Sequence, residues 1–277
     1  PAEAMVSVLD RGFLFGDSVY ETLAWQDGRF IFLDEHLTRL ERSARRIYLD
    51  PPPRPRIEQA MRETAAATGE LVARVRVIVT RGASSMVDID PATATSPLLV
   101  VVAQPLGAPS AAALAQGVAV ELVNQSRSAP GSVDPTVKSG NYLNSVLAIA
   151  EARRRNPAAS EAILCAANGG IAEGATSNVF LVADGILCTP GLEAGILDGV
   201  TRAKVLVLAR GAGLDVREPT FLAPEELRGA DEVFLTSAVR GILPVTAVDG
   251  GAVGDGRPGP GTRRLLHLYQ RLVSEAR

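Results

Sequence analysis

Val137-Lys138-Ser139-Gly140-Asn141-Tyr142-Leu143-Asn144 is a polar turn that runs straight into an apolar helix, and it carries one of only two lysines in the chain. The other is Lys204, in Arg202-Ala203-Lys204-Val205; the remaining basic residues are 26 arginines. Arginine serves wherever a surface cation is enough, but it cannot replace a neutral amine that has to form a Schiff base. A polar turn at a helix start holds an amine firmly and leaves it within reach of a ligand. Lys204 falls inside a helical pattern, where a solvated face is the ordinary reading. Lys138 is therefore the sharper candidate.

Upstream of that turn, Val6 to Leu9 reads as a short strand, and Val19 to Trp25 with Arg29 to Leu33 reads as a hairpin about Asp27-Gly28. Asp34 is the expected cap of a helix that runs to Tyr48 before the prolines Pro51 to Pro53, and a second helix follows from Pro55 to Gly69. In Leu71 to Thr80, alternation puts Ala73, Val75, Val77 and Val79 on one face and Arg74, Arg76 and Ile78 on the other. A strand over Pro97 to Gln104 closes a first domain, residues 1–104. Residues 105–116 have the proline and glycine punctuation of an interdomain linker, leaving 117–277 as a larger domain.

That second domain opens on a strand (Val118 to Val123) and a polar loop (Asn124 to Ser139), then a helix from Tyr142 to Arg155. Strands follow over Glu161 to Ala166, Ser177 to Val182 and Ile186 to Thr189, about turns at Asn168-Gly169-Gly170 and Ala183-Asp184-Gly185. A helix over Gly199 to Gly213, a strand over Glu232 to Thr236 and a helix after Pro260 complete it.

Composition narrows the function. With 47% hydrophobic and 21% charged residues the chain is an ordinary globular protein, and a net charge of −3 offers no basic surface for nucleic acid or an anionic membrane. The partner expected is a small molecule. Cys165 and Cys188 cannot make a disulfide framework, no leader pattern opens the sequence, and a cytoplasmic location follows as an expectation. Two histidines without ligand spacing disfavour a metal site.

Two further places suggest chemistry. Glu173 is a lone carboxylate among small and apolar residues, costly to bury unless a cation meets it; a protonated pyridine nitrogen is one such partner. Gly199-Val200-Thr201 marks a helix start whose free N–H groups and Thr201 hydroxyl suit a phosphate, although most such starts are only caps.

Taken together these residues resemble the fold-type IV pyridoxal-phosphate enzymes: branched-chain and D-amino-acid aminotransferases and aminodeoxychorismate lyase. The resemblance runs nearly end to end. Its segments stand here, in the family's order, as Asp10 to Glu21, Glu35 to Leu40, Thr80-Arg81-Gly82, Lys138 to Asn144, Glu173 to Phe180, Gly199 to Arg202, and Asp231 to Ser237 running to Pro244-Val245. It implies an α+β fold of two domains, a small α/β domain and a larger pseudo-barrel domain, and a homodimer with the hairpin around Trp25 and Phe30 as candidate interface.

The resemblance also implies roles. Lys138 holds pyridoxal 5'-phosphate as a Schiff base and moves the substrate's α proton. Glu173 pairs with the pyridine nitrogen, and Tyr142 hydrogen-bonds the ring's phenolic oxygen. Arg39 with the backbone at Val200 and Thr201 holds the phosphate, and Leu197, Ser237 and Ala238 complete the cofactor set. Arg39 as a solvated helix residue and Tyr142 as a plain helix-start aromatic stay open beside these roles.

Subgroup signals are mixed. The arginine and histidine that clamp a carboxylate in D-amino-acid aminotransferases are Met86 and Asp88 here. Arg76 falls where branched-chain members keep a strand arginine near the substrate, whereas Tyr20 resembles the D-specific group and Ser237 to Gly241 the lyases. Arg74 replaces a tyrosine of the branched-chain group; it either joins Arg76 in receiving a dicarboxylate such as 2-oxoglutarate or simply faces solvent. Family members also carry a strand ahead of the Asp10 segment, either missing from this sequence or absent from the small domain. The leading expectation is a transaminase between an aliphatic L-amino acid and a 2-oxo acid. Aminodeoxychorismate lyase, a D-amino-acid transaminase with a non-standard carboxylate trap, and a cofactor-binding module without catalysis remain as alternatives.

Overall fold

The computed structural model describes residues 3–94, 96–106, 109–126 and 134–275. The chain divides into two compact units, Pro1–Leu106 with Val137–Tyr142, and Gly107–Thr136 with Leu143–Arg277. The Lys138 turn thus belongs to the N-terminal unit.

In the first unit, α1 (Arg11–Phe15) leads into the hairpin β1 (Ser18–Gln26) and β2 (Arg29–Phe30), then α2 (Leu33–Arg46), α3 (Arg54–Ala66), β3 (Val72–Thr80) and β4 (Leu98–Pro105). The strands form an antiparallel sheet in the order β2-β1-β3-β4. Register places Val19, Glu21, Leu23 and Trp25 opposite Val79, Val77, Val75 and Ala73, and this set faces a core closed by Leu37, Leu40, Ile57 and Met61. Burying one such large apolar side chain contributes about 1.5–3 kcal/mol. The opposite face carries Tyr20 and Thr22 beside Ile78 and Arg76.

Several expectations change here. Residues Val6 to Leu9 form no strand; an isolated bridge joins Asp10 to Ala83 instead. The cap of α2 is the backbone of Phe32, at φ 54°, and Asp34 and Glu35 sit in the first turn, where carboxylates favour the helix dipole. Trp25 and Phe30 are 8% and 7% exposed and meet edge to face inside the core, so this hairpin offers no apolar interface.

Asp10 explains the first family segment. Its carboxylate accepts from the N–H groups of Gly12 and Phe13 and from the Thr80 hydroxyl, joining the start of α1 to the end of β3. Arg11, 3% exposed, binds Asp17 and reaches the carbonyls of Asp88, Ile89 and Asp90, which ties down the loop beyond Gly82.

The second unit runs α4 (Ala111–Gln116), β5 (Val118–Ser126), α5 (Leu143–Arg155), β6 (Glu161–Cys165), β7 (Ile171–Gly174), β8 (Asn178–Ala183), β9 (Ile186–Cys188), α6 (Val200–Gly211), β10 (Val216–Arg217), α7 (Pro224–Arg228), β11 (Glu232–Ser237), β12 (Gly241–Val248), β13 (Gly251–Ala252) and α8 (Pro260–Glu275). A curled nine-stranded sheet follows the order β10-β9-β8-β11-β12-β5-β6-β7, with β13 on β12. The α+β class and the half-barrel of the larger unit are as expected.

Of the linker expected over 105–116, Pro105 ends β4 and Ala111–Gln116 is helical, while 107 and 108 lie outside the described residues. The loop expected over Asn124 to Ser139 begins as the end of β5, and 127–133 of it lie outside the described residues. Strand β12, which has no counterpart among the expected elements, contains Pro244. At Pro244 the strand pairs with Phe234 of β11, and the ladder to β5 starts one residue later, at Val245↔Val118, so a missing N–H is tolerated.

Candidate active site

The first unit assembles one group of functional side chains around β1. The Lys138 segment lies along the start of that strand: Tyr20 N–H donates to the Lys138 carbonyl at 3.0 Å and Gly140 N–H to the Ser18 carbonyl at 3.0 Å. Lys138 N–H donates to Ser43 Oγ of α2 at 3.2 Å. Gly16 turns the chain at φ 67°, and a Cβ there would lie 2.3 Å from Asn141 Oδ1, so the close approach requires glycine.

Lys138 Nζ stands 4.5 Å from the centroid of the Tyr20 ring. Arg76 Cζ lies 4.9 Å from the same centroid and 5.3 Å from that of Tyr142. The guanidinium donates to Thr22 Oγ1 at 3.3 Å and to the Tyr142 hydroxyl at 3.4 Å, and the Tyr20 and Tyr142 hydroxyls touch. Burial and the neighbouring Tyr142 push the Tyr20 phenol well above its ordinary range. Lys138, Tyr20, Arg76 and Tyr142 are thus brought together. Arg74 shares the strand face but is exposed and donates to Gln104 of β4 at 2.8 Å.

Behind β1 lies a feature that the sequence reading missed. Glu21 is fully buried, with Arg39 Nε 2.6 Å from Oε1, Arg39 Nη2 2.9 Å from Oε2 and His36 Nδ1 2.8 Å from Oε2. Burial alone would raise the carboxyl; the Arg39 guanidinium and His36 more than offset it and hold Glu21 below the usual carboxylate range. A signal was present, since the alternation that turns Val19 and Leu23 inward turns Glu21 inward too. Arg39 is accordingly 6% exposed and not a solvated helix residue.

The second unit assembles another group. Glu173, in β7 and 6% exposed, accepts from Asn178 Nδ2 at 3.2 Å and from Leu197 N–H at 3.1 Å. Asn178 Nδ2 also donates to the Leu197 carbonyl at 3.0 Å, so one amide ties β8 to the loop before α6. A Cβ at Gly199 would fall 2.0 Å from Asn178 Oδ1, which explains glycine at this cap. No side chain caps the α6 N-terminus, and Thr201 Oγ1 is buried, near the Tyr269 phenol but outside hydrogen-bond geometry. Thr236 Oγ1 at the end of β11 is likewise buried without a partner. Ser237 Oγ accepts from the backbone and side chain of Arg240, and Ala238 is in the turn that follows. Arg240 in turn reaches Glu161 Oε2 at 2.7 Å. Lys204 is half-buried on α6.

A phosphorylated pyridine aldehyde needs an amine, an anion for its ring nitrogen and N–H donors for its phosphate. The donor chemistry fits: an uncapped helix start with an orphaned buried hydroxyl beside it, a buried carboxylate held by neutral amide donors, and one lysine against an aromatic face. Among the described residues no cluster of three or more His, Cys, Asp or Glu is placed to hold a metal ion.

The α+β architecture with a half-barrel in the larger unit is that of a fold-type IV pyridoxal-phosphate enzyme. Residues 18–248 match the family described as amino-transferase class IV. The branched-chain-amino-acid aminotransferase of Escherichia coli strain K12 is 36% identical over 280 residues, covering 96% of this chain and 87% of that protein. A D-alanine aminotransferase of Bacillus licheniformis is 32% identical over 98% of this chain and 93% of its own length. Among solved structures, the T.th. branched-chain amino acid aminotransferase complexed with N-(5'-phosphopyridoxyl)-L-glutamate superposes with a TM-score of 0.89 at 29% identity, over 100% of this chain and 91% of that one. The chain belongs to the class IV aminotransferase family and is an enzyme of that family, acting on amino and 2-oxo acids.

Proposed function

We propose that the enzyme transfers an amino group between an aliphatic L-amino acid and a 2-oxo acid such as 2-oxoglutarate, using pyridoxal 5'-phosphate. The observation that carries this reading is the Lys138 amine against the Tyr20 ring, with Arg76 on the same ring. A proton carrier and a fixed cation side by side suit a substrate that must lose an α proton and present a carboxylate. The names of the Escherichia coli and T.th. relatives support the branched-chain reading, and the phosphopyridoxyl-L-glutamate complex of the latter supports both the cofactor and an L-configured dicarboxylate.

When bound, the cofactor supplies an electron sink for the substrate carbon. In this reading Lys138 holds it and moves the α proton. Glu173 keeps a proton on the ring nitrogen, and Asn178 and the Leu197 backbone hold Glu173 ready for that task. The Val200 and Thr201 N–H groups and Arg39 bind the phosphate, with Ser237 and Ala238 beside them, and Tyr142 hydrogen-bonds the ring oxygen. Tyr20 and Arg76 contact the substrate; Arg74, exposed and bound to Gln104, takes part only as an outer cation.

A panel of both enantiomers of aliphatic and acidic donors, assayed with 2-oxoglutarate, tests the reading. Turnover of L-valine or L-leucine in preference to D-alanine is expected. The D-alanine aminotransferase relative and Tyr20 favour the opposite preference, while exposed Met86 at the place of the D-specific clamp speaks against it. Pyruvate release without any 2-oxo acid acceptor would mark a lyase instead.

The same reading includes a homodimer. Leu143, Val146 and Leu147 are 70%, 57% and 45% exposed at helical spacing on α5, an apolar stripe suited to a second copy. It also includes a cytoplasmic location, supported by free Cys165 and Cys188; no helix among the described residues is long and apolar enough to cross a membrane.

A further inference from the structure

Tyr20 and Tyr142 touch through their hydroxyls, and Arg76 Nη2 points at the Tyr142 oxygen from 3.4 Å. A phenol has one proton to give and two lone pairs to receive, whereas a guanidinium only gives. Two proton orders are therefore open. If Tyr142 donated to Tyr20, the proton of Tyr20 would be left without an acceptor at a residue only 6% exposed. An unmatched buried donor is disfavoured by roughly five- to a hundredfold. If Tyr20 donates instead, the Tyr142 oxygen accepts from Tyr20 and from Arg76, and its own proton is left for a third partner.

The surroundings support the second order. Burial and the neighbouring phenol hold Tyr20 protonated, against the opposing pull of Arg76, with Glu21 next in the chain adding to the rise. The Tyr20 ring is held between its backbone bond to Lys138 and the two cations over its face, so the hydroxyl has little freedom to swing away.

We propose that Tyr20 is a positioning residue that makes Tyr142 a one-way hydrogen-bond donor: Tyr20 O–H donates to Tyr142, Arg76 fills the second acceptor position, and Tyr142 O–H is left to donate to a ligand oxygen. This rests on the reading of Tyr142 as the partner of the cofactor's ring oxygen. It gives Tyr20 a task before any substrate arrives, and it means that the ligand atom facing Tyr142 must be an acceptor.

The test is a pH titration of the visible absorbance of the holoenzyme, reconstituted with pyridoxal 5'-phosphate, in the wild type, Tyr20→Phe, Tyr142→Phe and the double variant; no turnover is involved. Tyr142→Phe is expected to move the midpoint by about half to one pH unit. Tyr20→Phe is expected to move it in the same direction by about 0.3 unit or more, and to add nothing in the Tyr142→Phe background. An unmoved midpoint in Tyr20→Phe, or an equal Tyr20→Phe shift with and without Tyr142, overturns the proposal and leaves the role of Tyr142 standing. An unmoved midpoint in Tyr142→Phe removes that role and the proposal with it. A second measurement needs no variant. The chain has four tyrosines, so NMR of protein labelled at the tyrosine Cζ carbons follows each phenol. Tyr20 should keep its proton beyond the ordinary tyrosine range, and its ionisation within that range overturns the proposal.

Discussion

The guanidinium of Arg39 grips the carboxylate of Glu21 with both ends, at 2.6 and 2.9 Å, beneath the strand that carries Tyr20 on its other face. Breaking such a fully buried pair strands a charge and costs about 3–5 kcal/mol. Glu21→Gln is therefore expected to lower the urea midpoint at neutral pH sharply. The pH dependence has a definite sign. The carboxyl is held below its unfolded value, so the unfolded chain binds the extra proton, and the pair's contribution is complete above the unfolded carboxylate range, about pH 4.3. It is lost as pH falls through the depressed folded value. Urea midpoints measured from pH 7 down to about pH 3 should show a fall below about pH 4.5 in the wild type that is smaller in Glu21→Gln. Parallel curves would mean that other groups govern acid stability.

Lys138→Ala is expected to abolish turnover and the visible band that borohydride bleaches, whereas Lys204→Ala keeps both. Lys138 lies against the Tyr20 ring in a turn pinned to β1, and Lys204 lies on the helix α6. Transamination by the Lys138→Ala protein at a rate comparable to wild type would end the proposed role.

Glu173→Gln should leave the cofactor bound and slow the proton-transfer step, expected as a fall in kcat of at least about a hundredfold. The amide keeps the size of the side chain, and Asn178 Nδ2 and Leu197 N–H remain as donors to its oxygen. What is lost is the negative charge that keeps a proton on the ring nitrogen. Wild-type kcat in this variant would leave Glu173 a structural carboxylate.

How much of this was legible in the sequence depended on the range of the contacts. Lys138 stood out by scarcity, and Gly199-Val200-Thr201 by a helix start without a capping side chain, both local properties. The faces of β3 followed from alternation, which reads Arg76 and Ala73 to opposite sides without any knowledge of neighbours. Contacts between distant segments were another matter. Nothing near Arg11 says that its side chain collects the carbonyls of Asp88 to Asp90, and nothing near Glu173 names Leu197 as its donor, because these partners meet only once the chain has folded. Strand β12 accommodates Pro244 because its ladder to β5 starts only at Val245.

The arginines of β3 make the sharpest test of substrate class. Arg76 is fixed by Thr22 and lies against two aromatic rings, while Arg74, two residues away on the same face, is exposed and held only by a neutral amide in its described side-chain hydrogen bond. If Arg76 receives the distal carboxylate of a dicarboxylic substrate, Arg76→Ala should raise KM for glutamate and 2-oxoglutarate far more than for an aliphatic donor. A charge-assisted bond is worth roughly 1.5–3 kcal/mol, so kcat/KM for the dicarboxylates should fall about tenfold to a hundredfold. Arg74→Ala should cost less than about threefold, because an exposed cation is screened by water and salt. Equal losses for both substrate classes in Arg76→Ala would mean that Arg76 serves the α-carboxylate common to them, or that it orders Tyr20 and Tyr142. Lost binding of the α-carboxylate would raise KM for both substrate classes alike, whereas loss of the Arg76 bond to the Tyr142 hydroxyl is read separately, by the visible titration. Steady-state kinetics with both substrate classes, run beside the absorbance titration of the same variant, therefore separate the three roles.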